Sequence, residues 1–300
     1  MAKRFTTFLM LVVAAVSLMS IVPAGQRDAV AQNRRILIEE YTGYWCGYCV
    51  RGALGIEMLR ARYPKDVWAV SLHGGSTDEP MRNAQSDSLL NGVGLGFSTG
   101  MSGFPSESAS RIAIGGKWVN NDMAFVDTLP GISICGVTSG LPTQSYTDTM
   151  VGKPAIAVAT VDNVSLDIKT GLATCRVTAN FKQAATGDMR FGLYLIEDSV
   201  SFPPGGAFDQ HNYYSSTVSV GAGLPNNPFY SLPSQIPGWQ HMQVFRMAPG
   251  GVWGVAGVIP QSVTAGASYS QTFTFPLPAV VQNPNHLRLL GFVHYYSLSL

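Results

Sequence analysis

One short stretch limits what this chain can do. Residues 44–52 read Tyr-Trp-Cys-Gly-Tyr-Cys-Val-Arg-Gly and follow a mainly apolar segment, residues 36–43. A strand that turns through glycine into a Cys-x-x-Cys pair before a helix is an arrangement in which two thiols exchange electrons. The unpaired N–H groups and positive partial charge of a helix start favour thiolate over thiol. The pattern predicts that Cys46, at the helix start, is the nucleophile and that Cys49 resolves the mixed disulfide.

The five residues Trp-Cys-Gly-Tyr-Cys at 45–49 resemble the active-site motif of the thioredoxin superfamily, and their Gly-Tyr dipeptide is similar to that of periplasmic disulfide isomerases. The resemblance implies an oxidising or isomerising potential. It also implies that Glu40, which precedes Cys46 by six residues, is a buried acid that relays a proton to the resolving thiol. Alternation along a strand places Glu39 and Glu40 on opposite faces, so one of the two is expected to point into the protein.

A second match lies further along the chain. The residues Gly-Phe-Pro-Ser at 103–106 resemble the thioredoxin loop whose cis-proline faces the active disulfide and pairs with the substrate backbone. Cis peptide bonds are almost confined to proline, so the cis geometry is implied by this resemblance alone. Phe104, Pro105 and Trp45 are therefore the expected substrate-binding residues. A simple loop proline is the alternative interpretation of Pro105.

The wider pattern resembles a family described as related to a twenty-eight-kilodalton outer membrane protein. It combines a Glu-Glu-Tyr-Thr-Gly segment, the Trp-Cys-x-x-Cys motif, a later Gly-Phe-Pro and a strand-rich second half. The resemblance implies a thioredoxin-like α/β domain followed by an all-β immunoglobulin-like sandwich, exported across the inner membrane of Gram-negative bacteria. Val50 stands where proline is usual in that family, which leaves the geometry of the helix start less fixed.

The first 31 residues predict a signal peptide. Lys3 and Arg4 precede an apolar stretch at residues 8–22, and Ala29-Val30-Ala31 offers small side chains for cleavage after Ala31. That stretch is shorter than the ~20 residues of a membrane span. We expect an exported protein of the periplasm, outer membrane or cell surface. The thiols would then occupy an oxidising compartment, where a disulfide persists.

Length and charge narrow the class of protein. Roughly 270 residues after cleavage suit two domains, predicted here as 35–150, thioredoxin-like with a linker, and 151–300, a β-sandwich. The chain has 19 basic and 18 acidic side chains, too balanced a charge to attract nucleic acid.

The last residues of the chain alternate between apolar and polar side chains without a turn signal, so we expect the sandwich to continue beyond Leu300.

The second half carries period-two patterns between turn residues, as in Cys175, Val177 and Ala179, which are expected to face the sandwich core. A Pro-rich stretch at residues 202–238 interrupts these patterns and predicts a long loop, of the kind that often forms a binding surface. Cys135 and Cys175 are predicted to be unpaired, because buried free cysteines behave as small apolar residues. A second disulfide between them is the alternative, since spacing alone does not fix a connectivity.

Two functions are compatible with these features. In the first, the protein is a thiol–disulfide oxidoreductase that acts on protein thiols and disulfides. An unidentified redox partner then restores its starting redox state. In the second, it is a binding or assembly protein of the outer membrane or surface, and the Cys46–Cys49 bond is a passive staple. We expect no cofactor. A metal site is not predicted, because zinc needs a close set of ligands and the five histidines are scattered, at His73, His211, His241, His286 and His294.

Overall fold

A computed structural model describes residues 35–92, 106–109, 120–121, 128–129, 132–133, 151–167, 169–222 and 227–296. These described residues belong to one compact unit. The predicted signal peptide, Phe104, Pro105 and Cys135 lie outside the described residues.

The described chain is rich in sheet and has few helices. The strands are β1 (Ile36–Thr42), β2 (Val67–His73), β3 (Ser106–Ala109), β4 (Asn120–Asn121), β5 (Thr128–Leu129), β6 (Ile132–Ser133), β7 (Ala157–Asp167), β8 (Leu172–Phe181), β9 (Ala185–Thr186), β10 (Met189–Glu197), β11 (Gln210–His211), β12 (Gln235–Ile236), β13 (Val244–Met247), β14 (Ser262–Val263), β15 (Ser268–Pro276) and β16 (Leu287–Tyr295). The helices are α1 (Cys49–Arg62), α2 (Ala84–Gly92), α3 (Ser219–Ala222) and a 3₁₀ turn at Pro284–His286. In the described ranges no helix is both long enough and apolar enough to span a membrane.

The chain contains a βαβ unit. Strand β1 pairs in parallel with β2, and helix α1 connects them. All seven residues of β1 are buried. A strand covered on both faces tends to be apolar without alternation, and the first three residues of β1, Ile-Leu-Ile, follow that pattern.

The sheet that contains β1 extends into the second half of the chain. Its seven described strands follow the order β16-β10-β13-β2-β1-β3-β4. Strand β13 lies parallel to β2, and β10 pairs antiparallel with both β13 and β16. Strands from both sides of the expected boundary near residue 150 therefore share one hydrogen-bonded sheet.

Side-chain alternation gives this sheet two differently covered faces. One face carries a single apolar cluster that spans the sheet from β1 to β16 and includes Leu37, Tyr41, Tyr194, Phe245 and Phe292. On the other face, α1 covers β1 and β2. The β10 and β16 end of that face packs against a separate three-stranded sheet, β15-β8-β7.

The three-stranded sheet follows the predicted period-two pattern. Cys175, Val177 and Ala179 are fully buried and pack against Phe191 and Leu193 of β10. Cys175 is a free thiol in this core. Two sheets thus pack face to face in the second half, and β10 belongs to the sheet that also carries the Cys-x-x-Cys segment.

We predict that Tyr194→Phe destabilises the protein. The Tyr194 hydroxyl, on β10, donates a buried hydrogen bond of 2.6 Å to the Glu39 carboxylate on β1. Deleting the donor removes a hydrogen-bond partner from a buried carboxyl group, so the free energy of unfolding should fall by about 1–3 kcal/mol. Urea denaturation measures the change. Tyr269→Phe is the matched control, because Tyr269 contributes its ring to packing on Phe181; an equal loss in both variants would contradict a role for the hydroxyl.

Candidate active site

The two motif cysteines form a disulfide, Cys46–Cys49, with their Cα atoms 5.3 Å apart. Helix α1 begins at Cys49, not at Cys46 as the sequence led us to expect. Cys46 lies three residues earlier in a turn, where its carbonyl accepts from the Cys49 N–H at 3.0 Å. The helix start has no side-chain cap and no acidic residue in its first turn. The positive end of α1 is therefore directed at the disulfide without a competing carboxylate.

Both sulfurs are shielded from solvent, since Cys46 is 0% and Cys49 2% exposed. A segment of the second half, residues Gln210–Tyr214, packs on the main chain of the motif, and we name it the covering segment. The Gln210 amide donates to the Cys46 carbonyl at 3.0 Å and to the Tyr44 carbonyl at 3.1 Å. This segment belongs to the Pro-rich stretch predicted as a loop.

Two tyrosines of the covering segment pack on the motif. A Cβ at Gly47 would lie 2.2 Å from the Tyr213 ring, so only glycine fits the central position of the motif. The Tyr213 ring also meets Tyr48 edge to face at 5.0 Å. The Tyr214 hydroxyl accepts from the Arg51 guanidinium at 3.1 Å. Arg51 is buried, so its guanidinium lies inside the protein and not on the helix surface.

Glu40 lies on the α1 side of β1 and is fully buried. Removal from water raises the pKa of its carboxyl to about 7; the Ser71 hydrogen bond lowers that pKa, and the charge of Glu57 raises it. The Ser71 hydroxyl donates to Glu40 Oε2 at 3.0 Å, while Oε1 has no hydrogen-bond partner among the described residues. Glu39 is buried as well, on the opposite face, where Tyr194 binds it. We expected one of the two acids to point into the protein; both are buried, because protein covers both faces of β1.

A cavity of about 180 Å³ connects Glu40 to the resolving cysteine. Its lining includes Glu40, Cys49, Glu57, His73 and His241. A volume of this size can hold ordered water where polar groups line it, and Glu40, Glu57 and His73 are such groups. Cys49 and Glu40 thus line one cavity, and the pKa of the Glu40 carboxyl lies near neutral pH.

Two histidines that are far apart in the sequence meet at the same cavity. The rings of His73 and His241 stand edge to face at 5.1 Å. His73 Nδ1 lies 3.3 Å from Glu79 Oε1. Burial lowers the pKa of His241 well below its usual range, and His73 and Arg246 act in the same direction. His241 is therefore neutral at pH 7.

Trp45 is half-buried against the apolar cluster of the sheet, and its indole N–H donates to the Gly74 carbonyl at 3.0 Å. These contacts fix the turn before the disulfide. The substrate-binding role expected for Trp45 stays a prediction, as do the roles of Phe104 and Pro105, which lie outside the described residues. Over the ranges that the structure describes, no group of three or more His, Cys, Asp and Glu residues suits a metal ion.

Sequence reasoning missed the covering segment and the histidine pair. Gln210 is 164 positions from Cys46, and no local period or motif connects two segments at that distance. The available signal was the long Pro-rich stretch with adjacent tyrosines at 213 and 214.

The chain matches no protein-family model. It also matches no curated protein sequence.

Solved structures include two that are similar to this chain. HBP35 of Porphyromonas gingivalis has a TM-score of 0.52 and 18% sequence identity, with 89% of this chain and 71% of that chain covered. A protein of Agrobacterium tumefaciens has a TM-score of 0.40 and 9% identity, with 82% of this chain and 79% of that chain covered. This TM-score is too low to support a comparison of the two folds. The described residues of this chain, sheet-rich and with a Cys-x-x-Cys disulfide before α1, thus have a fold similar to that of HBP35.

Proposed function

We propose that the protein is an exported thiol–disulfide oxidoreductase of oxidase or isomerase type, which exchanges its Cys46–Cys49 disulfide with protein thiols. The observation that carries this proposal is Glu40, a fully buried carboxyl with a pKa of about 7 that lines the same cavity as Cys49. An isolated buried acid costs stability. A passive disulfide staple does not need that acid, whereas thiol exchange needs a proton acceptor beside the resolving sulfur.

The proposed architecture is a thioredoxin-like α/β domain over residues 35–150 followed by an immunoglobulin-like sandwich over residues 151–300. The parallel β1-α1-β2 unit with a disulfide before its helix supports the first part. The packing of β15-β8-β7 against β10 and β16 supports the second. We further propose membership of the family related to a twenty-eight-kilodalton outer membrane protein, with which the fold similarity to HBP35 is consistent.

In the oxidising direction, a substrate thiolate attacks Cys46 Sγ. The substrate–Cys46 disulfide forms, the Cys46–Cys49 bond breaks, and the Cys49 thiolate takes a proton from Glu40 by way of the cavity. A second substrate thiolate then attacks the substrate sulfur of the mixed disulfide and displaces the Cys46 thiolate. The substrate loses two electrons and the enzyme gains two. A second disulfide, such as glutathione disulfide or that of a partner protein, restores the starting state.

The partners of this reaction are proteins that carry thiols or disulfides, together with an oxidant or reductant that remains to be identified. We place the protein in the periplasm, the outer membrane or at the cell surface, with residues 1–31 removed as a signal peptide. The charge balance of 19 basic to 18 acidic residues supports proteins rather than nucleic acid as partners.

A second candidate function is a binding or assembly protein of the outer membrane or surface in which the disulfide is structural. The complete burial of Cys46 beneath the covering segment favours it. The reduction potential separates the two candidates. Structural disulfides lie below about −300 mV, whereas disulfide catalysts lie between about −270 and −120 mV.

We predict that Cys46→Ser abolishes thiol exchange. Insulin reduction with a thiol reductant, or refolding of scrambled ribonuclease, should slow at least about a hundredfold, because the variant lacks the sulfur that forms the mixed disulfide. Cys175→Ala is the matched control: it removes a free thiol of the distant core and should retain activity. Equal activity in wild type and Cys46→Ser would remove the enzyme proposal and leave the second candidate.

We predict that Glu40→Gln changes how stability depends on pH. In the wild type the folded state holds a proton on Glu40 up to pH about 7, while an ordinary glutamate releases it near 4.5. The folded state therefore loses stability as pH rises through that window, by up to about 3 kcal/mol. The glutamine side chain has no such proton, so its free energy of unfolding should gain on that of the wild type between pH 4.5 and pH 8.

Urea denaturation at the two pH values measures this difference. Asp78→Asn, at an exposed loop position, is the control and should show no comparable trend. A pH-independent difference between wild type and Glu40→Gln would mean that Glu40 titrates like an exposed acid and would remove its proton-transfer role.

A further inference from the structure

The covering segment contacts the motif in the manner of an added strand. The His211 N–H donates to the Tyr44 carbonyl at 2.8 Å, and the Tyr213 N–H donates to the Gly47 carbonyl at 2.9 Å. Between them, the Asn212 N–H points the other way and donates to the Ser234 carbonyl at 2.8 Å. Alternate N–H groups facing alternate sides is the geometry of an extended strand lying between two chains.

On the motif side of this arrangement lies a groove whose contacts are not specific to the covering segment. Its hydrogen-bond acceptors are main-chain carbonyls, and any extended peptide with a free N–H can donate to them. Gly47 leaves room for one aromatic ring, and Tyr48 supplies an edge-to-face partner for it. The carbonyl of Cys46 takes a side-chain amide from Gln210. The groove thus recognises an extended segment with an amide donor and, three positions later, an aromatic ring.

On the basis of the proposed function, we infer that this groove is the site for the extended segment of a protein substrate, and that residues Gln210–Tyr214 occupy it as an intramolecular substitute. Substrate reaches Cys46 Sγ only when the covering segment leaves. The preferred substrate is a peptide stretch with the same donor pattern and an aromatic residue over Gly47.

Departure of the segment also changes the chemistry of Cys46. A sulfur enclosed in protein is inert, whereas a partly exposed one is open to attack. Displacement therefore exposes Cys46 Sγ to a substrate thiolate. The covering segment and the redox pair thus act as one gated site.

The first experiment measures how fast tris(2-carboxyethyl)phosphine reduces the disulfide, with released thiols trapped by a maleimide and mapped by mass spectrometry. Tyr213 is 36% exposed, so Tyr213→Ala should fold. We expect reduction at least about tenfold faster than in wild type, because local opening limits the reaction. Tyr213→Leu, which keeps apolar bulk above Gly47, should be intermediate. Tyr230→Ala, from the same loop, is the control and should match wild type.

Cys175 serves as an internal reporter. It is free and fully buried in the core between the sheets, so maleimide labels it only when that core opens. Faster reduction with Cys175 unlabelled establishes local release of the segment. Equal reduction rates in Tyr213→Ala and wild type would overturn the covering role, and so would labelling of Cys175 in step with Cys46.

The second experiment tests the groove itself. A synthetic peptide with the sequence of residues 208–216 is added to the Tyr213→Ala protein, and the same peptide with alanine at the position of Tyr213 is the control. The first peptide should slow reduction back toward the wild-type rate, and the alanine peptide should not. Equal rates with both peptides would overturn the assignment of substrate class.

These readouts use a phosphine and do not require turnover. Insulin reduction by Tyr213→Ala separates the two levels of inference. Faster disulfide reduction with no insulin turnover would mean that the proposed enzyme activity fails while the covering segment stands. Slow disulfide reduction with normal insulin turnover would mean the reverse.

Discussion

The burial of β1 on both faces is the constraint from which the rest of the structure follows. A seven-residue strand with no exposed side chain needs protein on either side. Helix α1 supplies one side, and the continuous cluster beneath the seven-stranded sheet supplies the other. Because that cluster draws on β10, β13 and β16, the first half of the chain is completed by the second. The Tyr194–Glu39 hydrogen bond is the polar counterpart of this dependence.

The same constraint creates the chemistry of the site. A strand with two buried faces carries both acids of its Glu-Glu pair out of water, yet their surroundings differ. Glu39 receives a hydrogen bond from Tyr194, whereas Glu40 keeps one oxygen unbonded among the described residues and lines the cavity beside Cys49. Burial that is only partly compensated is what raises a carboxyl pKa toward neutral pH. The carboxyl that gives a proton to Cys49 in the oxidising direction, and accepts it in the reverse direction, is thus a consequence of where β1 lies.

The sequence predicted the structural features that depend on residues close together in the chain. The apolar run of β1, the helix after the motif and the period-two pattern around Cys175 each depend on neighbours in sequence, and each is present. The helix start was misplaced by three residues because a Cys-x-x-Cys pair fits both a first helical turn and the turn before it. Contacts between Gln210 and the Cys46 carbonyl, or between the rings of His73 and His241, join segments more than 160 residues apart. Their polar residues carry no period, so a single sequence offers no means to pair them.

Burial of the disulfide favours a staple only where the covering segment stays closed, so the free energy of opening that segment decides between the two candidates. Five hydrogen bonds link the covering segment to the motif and α1: two from the Gln210 amide, one each from the His211 and Tyr213 N–H groups, and the Arg51–Tyr214 bond. Each contributes a net ~0.5–1.5 kcal/mol, so release of the segment is a local opening rather than global unfolding. The open state is then a minor population at equilibrium. A peptide that binds only the open groove raises that fraction by its own binding energy, so substrate itself can expose the sulfur. A staple has no such dependence, because nothing that binds the groove is needed for it to function.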